Sequence, residues 1–317
     1  MKIIMPEFML PYLEARACTL FAACDFIVLD RHGRPQGDPT GAEVLMLPWQ
    51  LSPEIRQALY SLPSLKWVHT ISAGVEQALD ETLRAAPITL TNARGVFDLP
   101  IAETVITYLL MIVKQMPVFM TQQRAHQWKK QPLRELAGLT VGIVGLGSIG
   151  AEIARLCRAL GMRVLATRRH PEGGAPNVDQ LLPLEQLETL LAQVDFVVLA
   201  VPLTGETRGM IGEAQLRALR PGAWLINIAR GAIVDEPALV RALQDGQLGG
   251  AALDVFAQEP LPPDSPLWDM ENVILTPHNS WSTPHMEERE AALFLDNLER
   301  YMQGLPLRQV VDKTLGY

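Results

Sequence analysis

The sequence predicts an α/β chain built on two doubly wound parallel sheets, and three observations carry that prediction. Short apolar runs of four or five residues alternate with helical patterns along most of the chain. Strands that are apolar throughout, rather than at every second residue, belong to sheets covered on both faces. The alternation runs twice, from residue 1 to about 95 and again from Thr140, with a long helical stretch between. The length of 317 residues suits two domains rather than one.

In the first series the strands fall at residues 3–5, 26–29, 44–47, 67–70 and 88–91. Ser52-Pro53-Glu54 reads as a helix start, with proline at the first helical position. Residues 100–127 read as one long helical region, apolar on more than one face as a buried or interface helix would be. The second series has strands at 141–144, 163–166, 196–199, 223–227, 250–253 and 273–276. Residues 259–266 are proline-rich and read as a loop. An amphipathic helix over 284–303 follows the sixth strand. That sheet is already complete, so the helix is expected to return to the first domain.

Composition narrows the function classes. Hydrophobic residues make up 48% and charged residues 20%, values of a globular chain with ordinary cores. A net charge of −8 argues against nucleic acid or an anionic membrane as a bulk partner, since both need a positive surface. The three cysteines, Cys18, Cys24 and Cys157, lack metal-ligand spacing, so no metal site is expected and a reducing compartment is. The apolar start at residues 1–6 is too short for a signal peptide, and no run approaches the ~18 residues of a membrane span. The cytoplasm is the expected location.

The sharpest motif is Gly145-Leu146-Gly147-Ser148-Ile149-Gly150. It follows a strand and opens a helix, as the phosphate-binding turn of a dinucleotide-binding domain does. Gly145 suits the tight turn, Gly147 a close approach to pyrophosphate, and Gly150 close helix–strand packing. The helix N-terminus adds unpaired N–H groups and a positive dipole end. Six strands in the second series match the count of a complete Rossmann-type sheet. Such sheets usually place an acid about 20 residues on, where it binds the ribose 2′-hydroxyl. Here the second strand ends in Arg168-Arg169 instead. Guanidinium groups suit a 2′-phosphate, so NADP(H) is favoured and NAD(H) is the alternative. Arginines at this edge also stack on adenine without selecting a phosphate.

Three later strands end in reactive side chains: Arg230 in Asn227-Ile228-Ala229-Arg230-Gly231, Glu259 in Asp254-Val255-Phe256-Ala257-Gln258-Glu259, and His278 in Thr276-Pro277-His278. Ligands of open α/β sheets bind at these ends. An arginine there clamps a carboxylate, and a histidine exchanges a proton near neutral pH.

With these motifs the chain resembles, along its whole length, the D-isomer-specific 2-hydroxyacid dehydrogenase family, of the glyoxylate or hydroxypyruvate reductase kind. The resemblance implies a catalytic set of Arg230, Glu259 and His278. It implies a flavodoxin-like substrate-binding domain of residues 1–98 and 285–317, interrupted by an NAD(P)-binding domain over 99–284. Ser72, Ala73, Gly74 and Val75 match the family's loop that binds the substrate carboxylate through backbone N–H groups. Asp254 corresponds to an acceptor for the nicotinamide carboxamide. Val201, Pro202 and Ala229 would line the nicotinamide ribose and ring, with Thr104 and Thr207 near the cofactor. Trp49 and Trp281 are candidates for shaping the substrate or, equally, for core packing. His126 and His285 carry no motif. The implied activity is NAD(P)-dependent reduction of a small 2-keto acid to the D-2-hydroxy acid by a homodimer. Alternatives are an NAD-linked dehydrogenase of another D-hydroxy acid or phosphite, and an NAD(H)-sensing corepressor-like protein.

Overall fold

The computed structural model describes residues 1–15, 24–49 and 51–317. Cys18 lies outside the described residues. The chain divides into two compact units, Met1–Phe97 with Thr283–Tyr317, and Asp98–Ser282.

The first unit holds a parallel sheet of β1 (Lys2–Pro6), β2 (Asp25–Leu29), β3 (Ala42–Leu47), β4 (Trp67–Thr70) and β5 (Thr89–Asn92), in the order β2-β1-β3-β4-β5. Helices α1 (Leu10–Ala15), α2 (Pro53–Tyr60) and α3 (Glu81–Ala85) connect them. Ser52 caps α2 through its hydroxyl, which accepts from the Ile55 N–H at 3.3 Å. The continuous apolar runs have a direct structural counterpart. Alternate residues of the inner strands β1, β3 and β4 serve two cores. Ile4, Leu45 and Val68 pack on one face. Ile3, Met5, Val44, Met46 and Trp67 pack on the other.

The second unit begins with α4 (Asp98–Val113) and α5 (Met116–Arg124). The single helical region expected over 100–127 is thus two helices, bent by 66°. Gln115 between them sits in the left-handed region at φ 53°, and Pro117 starts the second helix. Among the described residues no single helix is long and apolar enough to cross a membrane.

The sheet of this unit contains β6 (Thr140–Val144), β7 (Arg163–Arg168), β8 (Gln180–Pro183), β9 (Phe196–Leu199), β10 (Trp224–Asn227), β11 (Gly250–Leu253) and β12 (Val273–Leu275). Its order is β12-β11-β10-β9-β6-β7-β8, all pairs parallel. Helices α6 (Ser148–Ala159), α7 (Leu187–Leu191), α8 (Glu213–Ala218) and α9 (Glu236–Gln244) complete it. The sheet therefore has seven strands, not the expected six. The seventh, β8, pairs with β7 at the sheet edge and is mostly half-buried. An edge strand needs no continuous apolar run and tolerates proline, so Gln180-Leu181-Leu182-Pro183 carries little strand signal.

Beyond β12 the chain rejoins the first unit through α10 (Met286–Met302). Ala291, Phe294, Leu295 and Leu298 of α10 fill the second core of the five-stranded sheet. Phe294 stacks on Trp67 with ring centroids 5.3 Å apart. This explains the amphipathic pattern of the helix.

Candidate active site

Register places the three reactive side chains on neighbouring strand ends. Asn227 of β10 lies level with Leu253 of β11, which lies level with Leu275 of β12. The strands are parallel and adjacent, so the loops bearing Arg230, Glu259 and His278 leave the same edge of one sheet.

His278 and Glu259 are in direct contact. His278 Nδ1 and Glu259 Oε2 lie 2.7 Å apart. A carboxylate only accepts, so Nδ1 carries the hydrogen and Nε2 is left for other chemistry. Glu259 is itself held, because its Oε1 accepts from the Phe256 N–H at 3.0 Å. The two side chains are 40% and 35% exposed, respectively, so solvent and small molecules reach them.

The backbone at His278 is held against its own preference. Its φ is 52°, in the left-handed region, at a typical cost of ~1–3 kcal/mol for such non-glycine positions. Its N–H donates to the Asp254 carbonyl at 2.8 Å. Its carbonyl accepts from the Trp281 indole at 2.8 Å.

Asp254 anchors the same loop. It is fully buried. Its Oδ1 accepts from the Thr276 hydroxyl at 2.5 Å and the Asn279 N–H at 2.9 Å, and its Oδ2 accepts from the Ser280 N–H at 3.0 Å. Its carboxylate thus braces the His278 loop. Tyr108 of α4 extends the chain by donating its hydroxyl to Thr276. Burial pushes the Tyr108 phenol up to about 12, so it stays a donor at neutral pH. Sequence reasoning missed Tyr108 and gave Thr276 no role. Neither has a local signal, since their roles arise from α4 meeting β12.

Arg230 follows β10 in a turn closed by Asn227. The Asn227 amide donates to the Arg230 carbonyl at 3.0 Å and its oxygen accepts from the Ala229 N–H at 3.0 Å. Arg230 Nη1 donates to the Ala229 carbonyl at 2.7 Å. Gly231 explains why this turn sits where it does. A Cβ there would lie 1.9 Å from the Phe256 carbonyl carbon, so only glycine lets the Arg230 turn rest on the backbone of the Glu259 loop.

The glycine turn has the shape a pyrophosphate requires. Gly145 has φ 98°, and a Cβ on Gly150 would meet the Gly145 oxygen at 2.2 Å. By contrast, nothing lies within 4 Å of a Cβ placed on Gly147, so the turn is open on that side. Ser148 and Ile149 open α6, and the Ser148 hydroxyl donates to Asp98 at 3.1 Å. Val201 packs against Gly145, and Ala229 is buried. Thr207 is buried and orders its own loop, donating to the Pro202 carbonyl at 2.6 Å. Thr104 lies within α4 and donates to the Pro100 carbonyl at 3.0 Å. Arg168 Nε donates to the His170 carbonyl at 2.7 Å, while Arg169 pairs with Glu206 at 2.5 Å.

The remaining candidates belong to the first unit. The loop after β4 is tightly self-bonded. Ser72 donates to the Gly74 carbonyl at 2.5 Å, and Asn92 donates to the Ala73 carbonyl at 2.7 Å. The Val75 side chain is buried in the core, which leaves only its backbone for recognition. Trp49 donates to the Ile71 carbonyl at 2.7 Å and packs near Phe97 with centroids 6.3 Å apart.

A cavity of about 620 Å³ adjoins the His–Glu pair. Its lining includes Phe256, Glu259, Leu261, Trp268, Thr276 and His278. Among the described residues no group of three or more His, Cys, Asp or Glu is placed to hold a metal ion.

Comparison with known proteins agrees with this geometry. Residues 106–280 match the family model described as D-isomer specific 2-hydroxyacid dehydrogenase, NAD binding domain. A glycerate dehydrogenase of Methylorubrum extorquens is 36% identical over 277 residues, 84% of each chain. The chain belongs to this family. The enzyme is therefore an NAD(P)-dependent oxidoreductase of the 2-hydroxyacid class. Its fold overlays on a family member from Xanthobacter autotrophicus Py2, solved with NADPH and MES, at a TM-score of 0.88 and 30% identity over 100% of this chain and 99% of that one. It also overlays on an NADPH-dependent glyoxylate/hydroxypyruvate reductase from Sinorhizobium meliloti, solved with NADP and sulfate, at a TM-score of 0.85 and 30% identity over 100% and 99%.

Proposed function

We propose that this enzyme reduces a small 2-keto acid of the glyoxylate or hydroxypyruvate type to the D-2-hydroxy acid, with NADPH preferred over NADH. The 2.7 Å contact between His278 and Glu259, on the sheet that carries the glycine turn, is the observation that carries this reading. The cofactor, when bound on Gly145–Gly150, supplies the hydride. His278, charged, donates a proton from Nε2 to the keto oxygen. Glu259 holds Nδ1–H, so it orients the ring and stabilises the imidazolium. Arg230 grips the substrate carboxylate and stabilises charge growing on the keto oxygen. The backbone N–H groups of residues 72–75 are the first unit's candidates for binding a carboxylate. In the reverse direction neutral His278 accepts the hydroxyl proton.

Arg168 and Arg169 supply the positive edge for a 2′-phosphate, in the place where an acid would select NAD(H). Relatives solved with NADPH or NADP support this preference. The test is a panel of keto acids assayed at 340 nm with both cofactors, on the native chain and on Arg168→Asp. We expect turnover of glyoxylate or hydroxypyruvate with NADPH. The substitution should weaken NADPH binding about 10–100-fold while sparing NADH, as loss of a charge-assisted phosphate contact would. No consumption with any keto acid defeats the reductase reading, and equal NADPH affinity in Arg168→Asp defeats the phosphate role.

The assembly is read as a homodimer in the cytoplasm, free of membrane and nucleic acid. Apolar side chains stand exposed from α4 to residue 133, namely Leu110, Met116, Val118, Met120, Trp128 and Leu133. Large apolar side chains left exposed along one stretch of chain suit a protein contact. Sedimentation equilibrium should give twice the chain mass, and Trp128→Glu should lower the association constant at least ~10-fold. A monomer in the native chain would end this reading.

A further inference from the structure

The edge of β7 expected to meet an adenosine ribose holds a charge that comes from elsewhere in the chain. Arg168 folds onto its own loop, donating to the carbonyls of His170 at 2.7 Å and Glu172 at 3.3 Å. Arg169 instead reaches the loop that follows β9. There its Nη2 donates to Glu206 Oε2 at 2.5 Å, across 37 residues of sequence. That loop also carries Val201, Pro202 and Thr207. Its backbone is secured by the Thr207 hydroxyl, which donates to the Pro202 carbonyl at 2.6 Å and accepts from the Thr204 N–H at 2.8 Å. The Glu206 side chain is 73% exposed, against 35% for Arg169. The acid that such sheets carry at the end of the second strand is absent here, and a carboxylate has reached the same edge from another strand.

We propose that Glu206 is a built-in competitor for the 2′-phosphate of NADP(H). It pairs with Arg169 and gives up that guanidinium when the phosphate arrives. This rests on the NADP(H) reading above. Three physical points support it. Glu206 takes the Nη2 end of the Arg169 guanidinium, so a phosphate seeking a bidentate grip on that end must displace it. An exposed ion pair is individually weak and exchanges readily for a stronger partner. The 2′-phosphate is close to a dianion at neutral pH, as other phosphate monoesters are, so a carboxylate beside it opposes binding. The consequence is a moderated affinity for NADP(H) and faster release of the spent cofactor, a step that limits many dehydrogenase-like cycles. A cofactor without the 2′-phosphate meets no such competition. Glu206 is thus a specificity-determining residue that narrows the gap between the two cofactors.

The experiment isolates the subsite from the nicotinamide. Adenosine 2′,5′-bisphosphate and 5′-AMP are titrated into the native protein, Glu206→Gln, Arg169→Ala and the double variant by calorimetry. Glu206→Gln should tighten the bisphosphate about fivefold, the equivalent of releasing one exposed ion pair. It should change 5′-AMP by less than about twofold. In the Arg169→Ala background the same substitution should gain less than about twofold, because nothing is left to compete for. Unchanged or weaker bisphosphate binding in Glu206→Gln overturns the proposal, as does an equal gain without Arg169. A native protein that prefers the bisphosphate, with that preference unmoved by Glu206→Gln, sinks the competitor and keeps the NADP(H) reading. A native protein and Glu206→Gln that both bind the two probes equally sink both.

Discussion

Two of the histidine–glutamate pairs among the described residues live in opposite surroundings. In the second unit His278 and Glu259 meet at 2.7 Å with 40% and 35% of their side chains exposed. In the first unit His69 of β4 and Glu290 of α10 meet at 3.6 Å with 0% and 1% exposed. The exposed pair is also well supplied with partners, since Glu259 accepts from the Phe256 N–H at 3.0 Å. The buried pair is not. His69 Nδ1 has Thr91 Oγ1 at 2.8 Å, but its Nε2 and both Glu290 oxygens lack a hydrogen-bond partner among the described residues. Burial pushes the Glu290 carboxyl above the usual carboxylate range, and the neighbouring His69 offsets part of that rise. The same two residue types therefore do different work. A pair open to water is within reach of a bound molecule, as the proposed proton transfer requires. In the pair sealed beside Trp67 and Phe294, burial disfavours the charged form of Glu290.

Breaking the exposed pair should have the largest effect. His278→Ala removes the proposed proton donor, and kcat should fall about 10²–10⁴-fold, the usual worth of general acid–base catalysis. Cofactor affinity, read by fluorescence titration, should stay nearly the same. Unaffected turnover would take His278 out of the chemistry. Glu259→Gln is a milder break, because its carbonyl oxygen still accepts from Nδ1–H while the charge is gone. Turnover should fall about 10–100-fold, in the range of a lost outer partner to a functional histidine. Glu259→Ala, which loses the orienting contact as well, should fall further. Equal losses in the two variants would mean that orientation, not charge, is what Glu259 provides.

The buried pair should respond in stability rather than in rate. The folded-state value for Glu290 lies above its ordinary one, so its contribution is greatest below the ordinary carboxylate range. That contribution is lost as pH rises through the raised value. Glu290→Gln has no charge to desolvate, so its urea midpoint should flatten across this window, with a change of roughly 1–2 kcal/mol relative to the native profile. Parallel pH profiles for the two chains would show that Glu290 does not titrate there. Turnover should be unaffected by this substitution, which sharpens the contrast between the pairs.

Much of the architecture is legible in the chain because a parallel sheet covered on both faces leaves an unmistakable pattern. Runs such as Val197-Val198-Leu199 have no polar side, and each residue is buried. The edge strand β8 escaped because half-burial makes no such demand on Gln180 or Pro183. The break at Gln115 escaped for a different reason. Its left-handed backbone is set where α4 ends and α5 starts, and glutamine carries no turn signal. Among the site residues, Gly231 reads as an ordinary turn glycine. Its reason is instead the backbone of Phe256, brought against it by the pairing of β10 with β11.

The sequence by itself determined the layers, the glycine turn and the strand ends that carry Arg230, Glu259 and His278. Those follow from local periodicity and short motifs, in which each residue's neighbours along the chain are enough. Tertiary structure alone decided which histidine meets which glutamate, which pair stays in reach of solvent, and that Asp254 and Tyr108 brace the His278 loop. Burial and charge pairing depend on elements from distant segments arriving together. Glu290 reaches His69, and Glu206 reaches Arg169, only after the sheets have formed.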